Sequence, residues 1–141
     1  MYKLIKNHNL EKGQIIVIVA VAMFALIAMA ALILDGGALL VNKRAAQNAA
    51  DAGALAGARV FCRQKTFDQT AVETAISQYA AENNATVIWG KPNTWIRTTN
   101  LEDIEGLVKG EVIVTVEVSH GSFFAKIFGL DYLTARADAG A

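Results

Sequence analysis

The chain has 141 residues, 54% of them apolar, and its 13 basic and 13 acidic side chains cancel. That length accommodates one small domain beside a helix and excludes a multidomain enzyme. Zero net charge supplies no global field to draw in nucleic acid or acidic lipid. Cys62 is the single cysteine. It cannot form an intrachain disulfide, and with no His or Cys near it in sequence it is not a metal site. It reads as a small apolar side chain at the end of a helix, with an intermolecular disulfide as the alternative.

Residues 1–13 carry Lys3, Lys6 and Lys12 against Glu11 alone, a basic leader or cytoplasmic segment that favours an N-terminus inside the cell. A single long helix is predicted from Gln14 to about residue 59 or 60. Its first stretch, 14–34, has no charged residue and is built almost wholly of Ile, Val, Ala, Leu, Met and Phe. At 1.5 Å per residue it spans roughly 31 Å, the thickness of a bilayer's hydrocarbon core. A single pass across the cytoplasmic membrane is expected, with the remainder of the chain outside.

The helix continues through Asp35, Gly36 and Gly37 into a half of different composition. From Ala45 to Ala58, ten of fourteen residues are Ala or Gly. Ala45, Ala49, Ala52 and Ala56 recur at helical spacing on one face, and Ala46, Ala50, Gly53 and Gly57 on another. Each glycine costs about 1 kcal/mol in a helix interior relative to Ala. Retaining both points to close approach of another backbone, as in small-xxx-small packing. These eight positions are the expected packing surface, either against other copies of the chain or against the chain's own domain. Asp35 is the one carboxylate beside the apolar run. It either marks the headgroup boundary or makes a contact between subunits, where it would need Lys43 or Arg44 of a neighbour, or a free amine at residue 14, as partner. Asp51, set among alanines, admits the same argument.

Residues 61–141 are expected to form an α+β domain outside the membrane. A turn at 61–65 precedes a capping-box pattern, Thr66-Phe67-Asp68-Gln69, and a helix over 67–82 with Val72, Ile76 and Tyr79 on one face against a sheet. Short strands at 85–89 and 94–98 are joined by Gly90-Lys91-Pro92-Asn93. A polar loop, 100–110, carries Glu102, Asp103 and Glu105. Over 111–119 Val112, Val114, Val116 and Val118 alternate with polar residues, the clearest strand in the chain. Ser122 is placed to cap a short helical turn, 123–128, closed by Gly129. Phe123, Phe124, Ile127 and Phe128 are expected as core beneath that turn, with lipid or partner contact as the alternative. A last strand, 131–139, points Leu133, Ala135, Ala137 and Ala139 one way. The order suits an antiparallel sheet with helices on one face. Asn84-Ala85-Thr86 matches a glycosylation sequon, a triplet common by chance.

No Gly-rich phosphate loop, no ligand-spaced His/Cys/Asp cluster and no nucleophile with its base stands in the sequence, so no enzyme, cofactor or metal chemistry is expected.

Three runs carry a family resemblance: Glu11-Lys12-Gly13-Gln14, Leu34-Asp35-Gly36-Gly37, and QNAADAGALAGAR at 47–59. Together with a C-terminal strand, Phe-Phe turn and Ala-rich strand, they resemble the Tad/Flp pilus-assembly TadE/TadG-like proteins. The resemblance implies a pilin-like, bitopic protein of a type IV pilus system, with other copies of itself and the inner-membrane assembly machinery as partners. The junction Gly13-Gln14 admits a prepilin-type leader cleavage, with an uncleaved cytoplasmic segment as the alternative; a filament subunit would rest in lipid before assembly and in an extracellular filament afterwards. The alternative is an assembly or anchoring protein that stays in the membrane. Two features depart from the wider pattern. No D-x-S-x-S metal run occurs, and the fifth position after Gly13 is Ile18 where pilins of the classical type carry Glu.

Overall fold

A computed structural model describes residues 9–64, 67–100 and 108–141. The loop acids Glu102, Asp103 and Glu105 and the capping residue Thr66 lie outside the described residues. Helix α1, Asn9–Arg63, runs unbroken for 55 residues. It is followed by α2 (Gln69–Glu82), β1 (Thr86–Val87), β2 (Trp95–Asn100), β3 (Val108–Gly121), a 3-10 turn (Ala125–Phe128) and β4 (Tyr132–Gly140). A long apolar helix, a second helix and an antiparallel sheet give the expected α+β arrangement.

β3 is the spine of the sheet and pairs antiparallel with all three other strands. Val116 pairs with Val87 on one edge and Ala137 on the other, and Ile113 pairs likewise with Trp95 and Gly140. β1 and β2 therefore follow one another along one edge of β3, and β4 occupies the opposite edge. The two short strands were expected to be joined by a turn. The structure makes them one interrupted edge strand, from which 89–93 loops out. Thr94, 2% exposed, bridges the gap: its hydroxyl accepts from the Thr115 N–H at 2.9 Å and lies 3.2 Å from the Thr115 carbonyl oxygen. A side chain thus replaces the ladder bonds that the excursion removes.

The alternation of β3 holds: Val112, Val114, Val116 and Val118 are buried on one face. β4 adds buried Ala135 and Ala137 to that face, with Leu133 and Ala139 half-buried, as the period of two requires. α1 lies across this surface, and its Ala46, Ala49, Ala50 and Ala54 are at most 1% exposed. Small residues on both sides let helix and sheet approach closely. α2 packs against α1, with Ile76 beside the glycines of the helix. Its buried stripe is Val72, Ile76 and Ala80; Tyr79 faces out. Size decides which side chain turns inward. Beside a helix built of Ala and Gly, Ala80 at i+8 fits where a tyrosine ring would hold the helices apart. The cap of α2 is Asp68, whose Oδ1 accepts from the Ala71 N–H at 3.2 Å.

Candidate functional site

The two halves of α1 meet different surroundings. Every residue from 13 to 30 is exposed, among them Ile16 and Phe24, so most of the apolar half stands clear of the domain. It is long and apolar enough to cross a membrane. Gly13 and Gln14 lie inside the continuous helix, and nothing is within 4 Å of a Cβ built at Gly13.

In the second half, Ala46, Ala49, Ala50, Gly53, Ala56 and Gly57 are buried, and Ala45 and Ala52 half-buried, within the chain itself. A Cβ added at Gly57 would meet Ile76 Cγ1 at 2.8 Å and Val112 Cγ1 at 3.1 Å; one at Gly53 would meet Val114 Cγ1 at 3.4 Å. At Gly53 and Gly57 the surface that approaches closely is the chain's own α2 and β3, and α1 also lies against β4. The side of this half left open is the stripe Leu40, Val41, Arg44, Asn48, Asp51 and Leu55. It carries two of the charged candidates, Arg44 and Asp51, the latter accepting from Gln47 Nε2 at 3.1 Å.

The other two charged candidates act within the chain. Lys43 Nζ donates to the Arg136 carbonyl and Gln47 Nε2 to that of Asp138, so α1 covers carbonyls along the free edge of β4. Asp35 is 8% exposed, and its partners are neither Lys43 nor Arg44 but three consecutive backbone N–H groups. Phe123 donates to Oδ1 at 2.9 Å, and Phe124 and Ala125 to Oδ2 at 3.0 and 2.7 Å. The carboxylate thus caps the 3-10 turn between β3 and β4 from 88 residues away. Ser122, expected in that role, instead donates its hydroxyl to the Leu130 carbonyl. Burial alone would raise the Asp35 pKa. The donated bonds from Phe123, Ala125 and Phe124, with His120 nearby, outweigh it and hold the carboxyl below its ordinary value.

The clasp brings the turn beside the apolar helix. Between them runs a groove of about 500 Å³, with Phe24, Ile27 and Ala31 on the helix side and Phe124, Ile127 and Phe128 on the turn side. The aromatic turn is not core: Phe123, Ile127 and Phe128 are 64%, 77% and 85% exposed. Nothing in the local pattern marks this, because an apolar cluster reads alike whether it faces a core or a solvent other than water. Among the described residues, no three His, Cys, Asp or Glu side chains gather where they could hold a metal ion.

Residues 13–60 match the family model for Flp pilus-assembly TadE/G-like proteins. Over these residues the long helix is similar to a TadE/G-like pilus-assembly segment. The TadE/G-like match spans the exposed apolar half, the Asp35 clasp and the buried Ala/Gly half, ending three residues before the helix does. Comparison with curated proteins and with solved structures finds no match.

Proposed function

We propose that the chain is a pilin-like structural subunit of a Tad-type pilus, held in the cytoplasmic membrane by residues 14–34 with its N-terminus inside and its domain outside. The observation that carries this reading is the contrast along one unbroken helix: a largely exposed apolar half continuous with a half locked into a folded domain. Such a helix transmits the position of the domain to the membrane and can exchange one apolar solvent for another. In lipid, acyl chains cover 14–34; in a filament, the same residues of neighbouring copies do so at little net cost. The open stripe with Arg44 and Asp51 supplies a polar contact between copies, and a heterologous contact that does not close yields a fibre. The partners on this reading are other copies of the chain and the inner-membrane pilus machinery. Cleavage between Gly13 and Gln14 precedes assembly.

A second reading is favoured by one observation. The domain itself occupies six of the eight small-residue positions that would bring copies into close contact, which suits an assembly or anchoring protein that remains in the membrane. Intact mass and N-terminal sequencing of sheared surface material and of membranes separate the two. A chain beginning at Gln14 in the sheared fraction supports the filament subunit. A chain beginning at Met1 and confined to membranes supports the anchor.

A further inference from the structure

The exposed turn between β3 and β4 has the composition of a core and the position of a foot. Phe123, Ile127, Phe128 and Leu130 are all more than half exposed, on the part of the domain that lies against the apolar helix. Along the helix, Ala31, Ile27 and Phe24 precede Asp35 by 4, 8 and 11 residues. At 1.5 Å per residue, the groove they share with the turn reaches roughly 6 to 16 Å from Asp35 toward the middle of the apolar run. Whatever covers that run must therefore also cover the turn.

The backbone of the turn is prepared for a medium without water. Asp35 takes the N–H groups of Phe123, Phe124 and Ala125. The Phe124, Lys126 and Ala125 carbonyls take those of Ile127, Gly129 and Leu130 at 3.0, 3.0 and 3.2 Å. Gly129, at φ 81°, supplies the left-handed residue that closes the turn. An exposed loop in water has no need of a buried carboxylate to satisfy three consecutive donors. In hydrocarbon each unsatisfied donor costs several kcal/mol. The charged groups of the foot are Lys126, on a stem long enough to reach the headgroups, and Asp131, at the start of β4.

We propose that the turn 123–130 is a second membrane contact, inserted beside the helix into the leaflet that faces the domain, with acyl chains of that leaflet filling the groove between Phe24 and Phe128. The proposal rests on the reading that residues 14–34 cross the membrane. A foot and a span held together by Asp35 fix the tilt and rotation of the domain on the bilayer, which a single helix cannot do.

The test places a nitroxide spin label, in a Cys62→Ser background, at Phe128→Cys, at Ile18→Cys within the span, and at Thr134→Cys on the exposed face of β4. The full chain is reconstituted in phosphatidylcholine–phosphatidylglycerol vesicles, and collisions with oxygen and with a water-soluble nickel chelate are measured. The expected result is that Phe128→Cys and Ile18→Cys are open to oxygen and closed to nickel, while Thr134→Cys is open to nickel. Phe128→Cys open to nickel, with Ile18→Cys in lipid, overturns the foot and leaves the span standing. Phe128→Cys closed to both reagents means that protein covers it and overturns the lipid contact. Ile18→Cys open to nickel overturns the span and the foot with it. Phe128 is 85% exposed, so its replacement leaves the fold intact, which circular dichroism checks.

Discussion

Residues 14–34 and 45–58 belong to one helix, yet they are stabilised in opposite ways. The first half presents large aliphatic side chains on every side and touches the domain only where the Asp35-held turn descends beside it. The second presents almost nothing but methyl groups and hydrogens, and it is the half that is buried. Hydrophobicity alone would place them the other way round. Burial within a small domain is decided by shape: Ala and Gly admit a sheet and a second helix at close range, whereas a surface of Leu, Ile and Phe needs more covering than about 80 residues can supply. The larger side chains are left for a cover from outside the chain.

The contrast breaks most decisively at Ile76, which fills the space over Gly53 and Gly57 and is fully buried. Ile76→Ala is expected to destabilise the domain by about 2–5 kcal/mol, the usual cost of such a truncation, read as a fall in the thermal midpoint in mild detergent. Gly57→Ala comes next. The new methyl would lie 2.8 Å from Ile76 Cγ1, and overpacking of this kind costs about 1–3 kcal/mol, against about 1 kcal/mol gained in helix propensity. If Gly57→Ala proves more stable than the parent by the full propensity gain, the helix does not sit against α2 and β3 as described.

At the boundary between the halves the effect is confined to one loop. The Asp35 carboxyl has a lowered pKa in the folded chain, so the stabilisation it supplies is present above the ordinary value of 3.8 and is lost as the pH falls through the still lower folded value. Exchange protection of the Phe123, Phe124 and Ala125 amides, corrected for intrinsic rates, is expected to hold at neutral pH and to disappear in that acid range. Asp35→Asn should abolish this pH dependence. Protection that persists unchanged in Asp35→Ala would show that the clasp does not hold the turn.

Asp68→Ala removes the cap of α2 and should cost about 1 kcal/mol. At the far end of the scale, Ile16→Ala is expected to leave the stability of the domain, read from its thermal midpoint, within about 0.5 kcal/mol of the parent, because Ile16 stands clear of it. A large effect there would mean that the apolar half folds back on the domain and would erase the distinction between the halves.

Legibility in the sequence followed the range of the forces involved. The alternation of β3 and β4 is a local periodicity and appears in the structure where it was read, whereas α1 extends past both expected ends, to Asn9 and Arg63, and takes up part of the turn expected at 61–65. Spacing places Tyr79 in the buried stripe of α2, because spacing cannot register how little room an Ala/Gly partner leaves. The strands on either side of 89–93 could not be seen as one broken edge, because the pairing that unites them is made by β3, some twenty residues downstream. The Asp35 clasp was least legible of all: a carboxylate after an apolar run signals a boundary, and nothing near it in sequence names Phe123, Phe124 and Ala125 as its donors.

What the sequence by itself determined is the existence of a long two-part helix, the polarity of each half, the inward face of β3 and β4, and the likeness to a pilus-assembly family. These follow from composition and from the fixed periods of helix and strand. Only the tertiary structure decided which surface covers the Ala/Gly half, which charges are used within the chain, and that the aromatic turn stands outside the core. Those outcomes depend on segments tens of residues apart meeting at distances of 3 to 4 Å, where shape and hydrogen-bond geometry select among partners that composition leaves equivalent.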